Sequence, residues 1–357
     1  MKVVILGLSI TSSWGNGHAT TFRGLVRELV RRGHDLTFLE RDQPWYAANR
    51  DLPDPPWGRT VLYGSVDELR ERHADAVRDA DLVIVGSYVT EGVAVGDWVQ
   101  QEANGIKAFY DIDTPVTLAK IARGDHEYLH PRQIPGYDLY LSFTGGPTLQ
   151  RLEQEFGSPR ARALYCSFDP ALYFPEPQPL RWDLGYMGTY SDDRQPSVEA
   201  FLLGAARAHP QGRFIVAGPQ YPGTEHWPAN VTHQPHLPPA EHRRFYNSQR
   251  FTLNVTRQDM IRAGWSPSVR LFEAAACGTP IVSDRWAGIE TLLVPGQEIL
   301  LVDGTADVLH ILRHFGEDER LRLAERARQR ILREHTAEHR AVELEGHAMA
   351  LLSGVAA

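Results

Sequence analysis

The stretch RLFEAAACGTPIVSD, residues 270–284, compresses a helix, its stop and the following strand into one short run. GWSP just before it supplies Ser266 as an N-cap and Pro267 at the first helical position, where the missing N–H costs nothing. Ala274, Ala275, Ala276 and Cys277 are small enough to bring the helix close against a sheet. Gly278 supplies the left-handed end, Pro280 blocks continuation, and strand IVSD follows at once. A helix that hands over to a strand so abruptly belongs to a chain of alternating α and β elements.

The start of that helix also has chemistry. The backbone N–H groups of Ser268 and Val269 are predicted to be unpaired, with the positive end of the helix dipole behind them, which makes an anion site. Glu273 lies beyond them by about 7 Å along the axis at ~1.5 Å per residue. A carboxylate there suits a diol one sugar unit from a phosphate, as in the ribose of a nucleoside diphosphate. The same residues also fit a solvated helix glutamate above an alanine core.

Outward from this point the alternation covers the chain. KVVILGL (2–8) reads as a buried parallel strand, Phe22, Leu25, Val26, Leu29 and Val30 recur at helical spacing, and DLTFLE resumes as a strand. Helices near 66–80 and 92–104 alternate with strands at 81–86, 107–111 and 138–142, followed by a helix at 147–156 and a strand near 162–166. FPEPQPLRW (174–182) carries three prolines and no apolar period, so it reads as an extended linker. Beyond it come strand DLGYMG, a helix near 195–207, strands RFIVAG and NVTHQ, a helix at 239–247 and strand RFTLNV. The expected division is an N-terminal domain 1–173, the linker 174–182 and a C-terminal domain 183–335. A final helix, 336–357, returns to the first domain. Tandem domains of this kind bind ligands at the carboxyl ends of their sheets.

A chain of 357 residues and 40.1 kDa, 42% hydrophobic, suits two domains of about 170 residues. The net charge of -8 argues against nucleic acid as a partner. Arginine outnumbers lysine 34 to 3, so a single arginine says little about phosphate. Cys166 and Cys277 sit in apolar surroundings and read as core. The first strand is followed by polar residues and Trp14 rather than a cleavage site, and no apolar run approaches the ~20 residues of a membrane span. A cytoplasmic protein is expected, in which the sequons at Asn230 and Asn254 have no glycosylation meaning.

FEAAACGTPIVSD resembles the carboxylate-bearing helix of the retaining GT-B glycosyltransferases, glycosyl transferases group 1, whose donor site carries an E-x7-E motif. Glu273 matches the second glutamate; Trp265 stands where the first belongs. GHDLTFLERDQPWYAANRDLP, FYDIDTPVTL, YMGTYSDDRQP, TLNVTR and RLFEAAACGTP together resemble the CgeB-like branch, named for bacterial spore-maturation proteins. The resemblance implies an α/β fold of two tandem Rossmann-like, doubly wound domains, the GT-B architecture, with a helical C-terminal segment. It implies a UDP-, dTDP- or GDP-linked sugar donor, a small-molecule or glycan acceptor, retention of configuration, and no metal or further cofactor.

Carried onto this sequence, the resemblance puts Glu273 on the donor ribose and Arg194, on the loop with Thr189 and Tyr190, on the diphosphate. An arginine near a helix start is otherwise mildly unfavourable. Ser268, Val269, Arg270 and Arg257 join the donor set. In SSWGNGHATTFRG (12–24), Trp14, Gly17 and His18 border the acceptor and donor sugar. His18 and Asp113 are the candidate catalytic groups, with Asp111 and Thr114 beside them as sugar contacts. Trp45, Tyr46 and Trp57 offer further rings for stacking.

Rival readings rest on specific residues. Glu40, after the second strand, mimics the ribose acid of a nicotinamide site, although Gly15 and Gly17 are followed by Thr20 rather than glycine. Asp111 and Asp113 form the D-x-D of metal-dependent GT-A glycosyltransferases, whose single domain leaves residues 183–303 unexplained. HTAEH (335–339) matches a zinc-peptidase pattern but lies in a charged helical segment without a third ligand. Replacement of the first motif glutamate by Trp265 keeps open a catalytically silent sugar-binding protein.

Overall fold

The computed structural model describes residues 1–354. Two compact units divide the chain: Met1–Ser167 with the segment from Ala337 onward, and Phe168–Thr336. The first unit is built on a seven-stranded parallel sheet of β1 (Lys2–Gly7), β2 (Asp35–Arg41), β3 (Arg59–Tyr63), β4 (Leu82–Gly86), β5 (Ile106–Asp111), β6 (Leu139–Ser142) and β7 (Ala161–Ala163), in the order 3-2-1-4-5-6-7. β1 and β4 are apolar and buried on both faces, as strands covered by helices must be. Phe22 of the His18–Arg31 helix packs edge-on against Phe38 and Tyr110 at 5.2 and 6.1 Å. Gly7 admits this cluster, because a Cβ there would lie 2.3 Å from the Phe38 ring. The Ala337–Leu352 helix packs on His18–Arg31 within the same unit, with Arg31 bonded to Glu338 at 2.7 Å.

The second unit repeats the plan with six parallel strands. β8 (Trp182–Met187), β9 (Phe214–Ala217), β10 (Val231–Gln234), β11 (Gln249–Asn254), β12 (Ile281–Ser283) and β13 (Leu300–Leu301) run in the order 10-9-8-11-12-13. Both units therefore reverse strand order beside their first strand, and that reversal marks where open α/β sheets bind ligands.

Three local expectations change. The helix of the opening stretch spans Val269–Ala276 with Ser268 as its N-cap, so Ser266 and Pro267 precede it. Ser266 instead donates its hydroxyl to the Gly264 carbonyl, and the free helix start moves to Val269 and Arg270. Strand β3 and the Thr114–Ala122 helix were not read from the sequence; β3 is a short edge strand whose RTVLY is only partly buried and so lacks a buried apolar run. Finally, the unit boundary falls at Ser167 rather than inside 174–182. The proline-rich run is stitched to the second unit: the Glu176 N–H donates to Asn247 Oδ1 at 2.8 Å, and the Arg243 guanidinium sits 4.2 Å from the Phe174 ring centre.

Candidate active site

In the second unit, the carboxyl ends of β8 and β11 converge on Asn254. Its Oδ1 accepts from Ser268 Oγ at 2.7 Å and from Arg270 Nη1 at 2.9 Å, while its Nδ2 donates to Ser283 Oγ at 2.9 Å. Asp284, at the end of β12, accepts from the Thr256 N–H and hydroxyl at 2.7 and 2.8 Å. Burial pushes the Asp284 carboxyl above its usual range against those bonds. Arg270 is buried, donates through Nε to the Met187 carbonyl at 2.9 Å, and lies 4.9 Å from the Tyr186 ring centre. A guanidinium carries five N–H donors, so these bonds leave some unspent. Arg270 thus locks the first turn of the Val269–Ala276 helix to the end of β8, which fixes the direction of that helix start.

Arg194 and Arg257 flank this floor. Arg194 caps the Gln195–Val198 helix, donates Nη2 to the Thr189 carbonyl at 2.6 Å, and keeps a buried Nε without a partner among the described residues. Arg257 follows β11 and forms no ion pair among the described residues. The Gln258 N–H donates to Asp193 Oδ2 at 3.0 Å, which ties the loop bearing Arg194 to the one bearing Arg257. Tyr190 stacks edge-on against Tyr221 at 5.6 Å, and Tyr221 in turn meets Trp227 and His233, giving the ends of β8, β9 and β10 an aromatic wall. Thr189 is exposed at the loop tip.

Glu273 is not a solvated helix residue. It is 2% exposed, and its Oε2 accepts from the Tyr246 hydroxyl at 3.1 Å. A ribose diol would reach this carboxylate only by displacing what covers it. Trp265 occupies a left-handed backbone conformation at φ 44°, a strained one for an aromatic residue. Its N–H donates to the Ala287 carbonyl at 2.6 Å, and its ring lies so close to Gly288 that a Cβ there would sit 2.4 Å from it.

The first unit holds a pocket of ≈ 580 Å³ at the end of β1 and β4, bordered by Gly17, His18, Tyr46, Tyr88 and Asp113. His18 opens its helix behind Asn16, whose Oδ1 accepts the Ala19 N–H at 3.0 Å. His18 Nε2 meets Asp113 Oδ2 at 3.0 Å, while Nδ1 is buried without a partner among the described residues. A carboxylate oxygen facing Nε2 calls for a proton on that nitrogen, so Nδ1 is the ring atom left to meet a ligand. Tyr88 packs edge-on to the imidazole at 5.5 Å. Trp14 is half exposed and stands outside the lining of this pocket.

Asp111 and Thr114 do not join Asp113 there. Asp111 is fully buried and accepts from Tyr140 Oη at 2.6 Å and Thr117 Oγ1 at 2.8 Å; burial pushes its carboxyl up to about 6. Thr114 is equally buried, bonded to the Asp111 carbonyl and to Ser142 Oγ. Both were expected as sugar contacts, but they build the strand end that presents Asp113. The D-x-D pair therefore cannot converge on a metal, and no acidic, histidine or cysteine cluster suited to a metal is found among the described residues. Glu40 is spent as well: Ser9 Oγ, the N–H groups of Ile10 and Thr11, and Thr11 Oγ1 all donate to it at 2.6–3.0 Å. Its carboxylate folds the loop after β1 and has no capacity left for a ribose. His335 packs on Phe272 at 5.2 Å, and HTAEH forms no metal cluster.

Comparison with known proteins agrees with this architecture. The structure matches sucrose-phosphate synthase from Thermosynechococcus elongatus with a TM-score of 0.74 at 15% identity, over 99% of this chain and 100% of that one. The chain has the GT-B fold. Anabaena HepE in complex with UDP and glucose matches at a TM-score of 0.71 and 13% identity, over 98% of this chain and 100% of that chain. An alpha-glucosyltransferase in complex with UDP and a 13-mer DNA containing a HMU base matches at 0.71 and 13%, over 98% and 99%. Residues 194–346 match the family model described as glycosyl transferase-like. No curated protein matches the chain in sequence. Among the described residues no helix is long and apolar enough to cross a membrane.

Sequence reasoning missed Asn254, which it treated only as a sequon, and Tyr88 and Tyr221. An asparagine between Leu253 and Val255 at the end of strand RFTLNV was the available signal, since a buried amide must be hydrogen-bonded.

Proposed function

We propose that this chain is a glycosyltransferase that uses a nucleoside-diphosphate sugar, gripping the nucleotide with its second unit and taking the acceptor in the pocket beside His18. The observation that carries the reading is the start of the Val269–Ala276 helix, clamped by Arg270 and Ser268 to Asn254 at the strand-order reversal of the second unit, within the stretch 194–346 that matches the glycosyl transferase-like family model. Helix N–H groups with Arg194 and Arg257 nearby would stabilise negative charge as the diphosphate departs, which is the work such a site must do. These cations meet that need without a metal. The solved relatives crystallised with UDP or UDP-glucose support a uridine donor, and the motif around Glu273 supports retention of configuration. Glu273 remains the candidate ribose ligand provided Tyr246 yields it on binding.

Thermal denaturation with UDP, dTDP, GDP or NAD, each with and without magnesium, tests the reading. A ligand at about a hundredfold excess over its Kd stabilises the folded state by about 2.7 kcal/mol. Stabilisation by one nucleoside diphosphate, independent of magnesium and absent with NAD, is expected. If none of the three raises the melting temperature, the reading fails.

A further inference from the structure

The pocket beside His18 has a chemical bias that the donor site lacks. Although the chain holds 34 arginines, none of them and none of its lysines lines this cavity, whereas Glu91, Asp113 and Glu127 do. Arg41 and Lys120 are outside that lining, paired with Glu91 at 3.2 Å and with Glu127; Lys120 also contacts Asp125 at 3.5 Å and lies over the Tyr88 ring. These cations are thus spent on carboxylates, and the charged groups that line the cavity beside His18 are all carboxylates, set among the rings of Trp45, Tyr46 and Tyr88 and the amides of Asn16 and Gln43.

Two further observations mark the cavity as built for a ligand. His18 is 6% exposed, and its buried Nδ1 lacks a hydrogen-bond partner among the described residues although the ring borders the pocket. Of the four non-glycine residues with left-handed backbone among the described residues, Tyr88 at φ 62° and Glu91 at φ 55° both belong to this lining. Strain of that kind persists only where the surroundings enforce it, and here it turns a ring and a carboxylate toward one space.

Resting on the glycosyltransferase reading, we propose that this pocket binds a sugar acceptor that carries no phosphate or carboxylate, and that it favours one bearing an amine. Hydroxyl and ammonium groups donate to the carboxylates, the rings cover C–H faces and attract a cation, and an anionic substituent would meet like charge in a partly enclosed space.

The test uses the full-length protein saturated with UDP and measures binding of glucosamine, glucose and glucose 6-phosphate by ligand-observed NMR titration. Glucosamine is expected to bind severalfold more tightly than glucose, and glucose 6-phosphate at least tenfold more weakly than glucose. In Glu91→Gln the advantage of glucosamine over glucose should shrink toward unity, while the UDP-induced thermal shift stays as in wild type. Equal or tighter binding of glucose 6-phosphate, an amine preference untouched by Glu91→Gln, or no binding of either uncharged or amino sugar would overturn the proposal while an intact UDP shift leaves the transferase reading standing. Loss of the UDP shift in wild type would remove the reading beneath it.

Discussion

His18 and Asp113 come from the first helix and the end of the fifth strand, yet their Nε2 and Oδ2 atoms stand 3.0 Å apart. The pair orients the imidazole beside the pocket of the first unit. Replacing His18 with alanine is predicted to slow sugar transfer by about 10²-fold or more, the range for a positioned proton-handling group. Asp113→Asn should slow it less, because the amide still holds the ring but lacks the charge. Nucleotide binding, read as the UDP-induced thermal shift, should not change in either variant. Wild-type transfer rates in His18→Ala would remove the pair from the reaction.

Arg270 and Arg257 are predicted to fail in different ways. Arg270 is buried and bonded to Met187 and Asn254, so Arg270→Leu strands the Met187 carbonyl and leaves Asn254 Oδ1 only its bond from Ser268, at a cost of about 1–3 kcal/mol, visible in urea unfolding. Arg257 has no ion-pair partner among the described residues, so Arg257→Ala should leave unfolding unchanged within about 0.5 kcal/mol and weaken UDP binding about tenfold. Titration calorimetry with UDP separates the two. Unchanged affinity in Arg257→Ala would take that residue out of the donor site.

The sequence revealed the alternation of strands and helices because parallel strands are apolar throughout and their helices carry one apolar stripe. KVVILGL and DLVIVG became β1 and β4 with their ends nearly as read. The edge strand β3 escaped because it is short and only partly buried, and so carries no such run. The site was less legible, for a different reason. Asp111 and Asp113 are chemically identical in sequence, and it is the hydroxyls of Tyr140 and Thr117 that hold one of them sealed below the surface while the other reaches the pocket. Glu273 and Glu40 pose the same problem: a carboxylate that looks like a ligand is spent, wholly or partly, on bonds from residues distant in the chain.

Glu40 offers a prediction that separates structural from cofactor roles. Four donors converge on it in a buried site, so Glu40→Ala strands two backbone N–H groups and two hydroxyls. Destabilisation of at least about 3 kcal/mol is expected, from unsatisfied groups at ~1–3 kcal/mol each. NAD should stabilise neither protein. A thermal shift with NAD that vanishes in Glu40→Ala would restore the dinucleotide reading.

The last prediction concerns Asp111 and the pH dependence of stability. Burial raises its carboxyl to about 6 from an ordinary value of 3.8, because the Tyr140 and Thr117 hydroxyls compensate only part of the lost hydration. Between these values the folded state holds a proton that the unfolded state has released, so stability falls as pH rises from about 4 to about 6. Below that window the acid is neutral in both states and the penalty vanishes; above it the full penalty applies, on the order of 3 kcal/mol. Asp111→Asn cannot titrate and should lack this slope, whatever its absolute stability. Urea unfolding of both proteins from pH 4 to pH 7 therefore gives a difference, wild type minus variant, that declines through the window and then levels. A difference that stays flat, or rises with pH, would show that Asp111 is ionised throughout and well paired by its two hydroxyl donors.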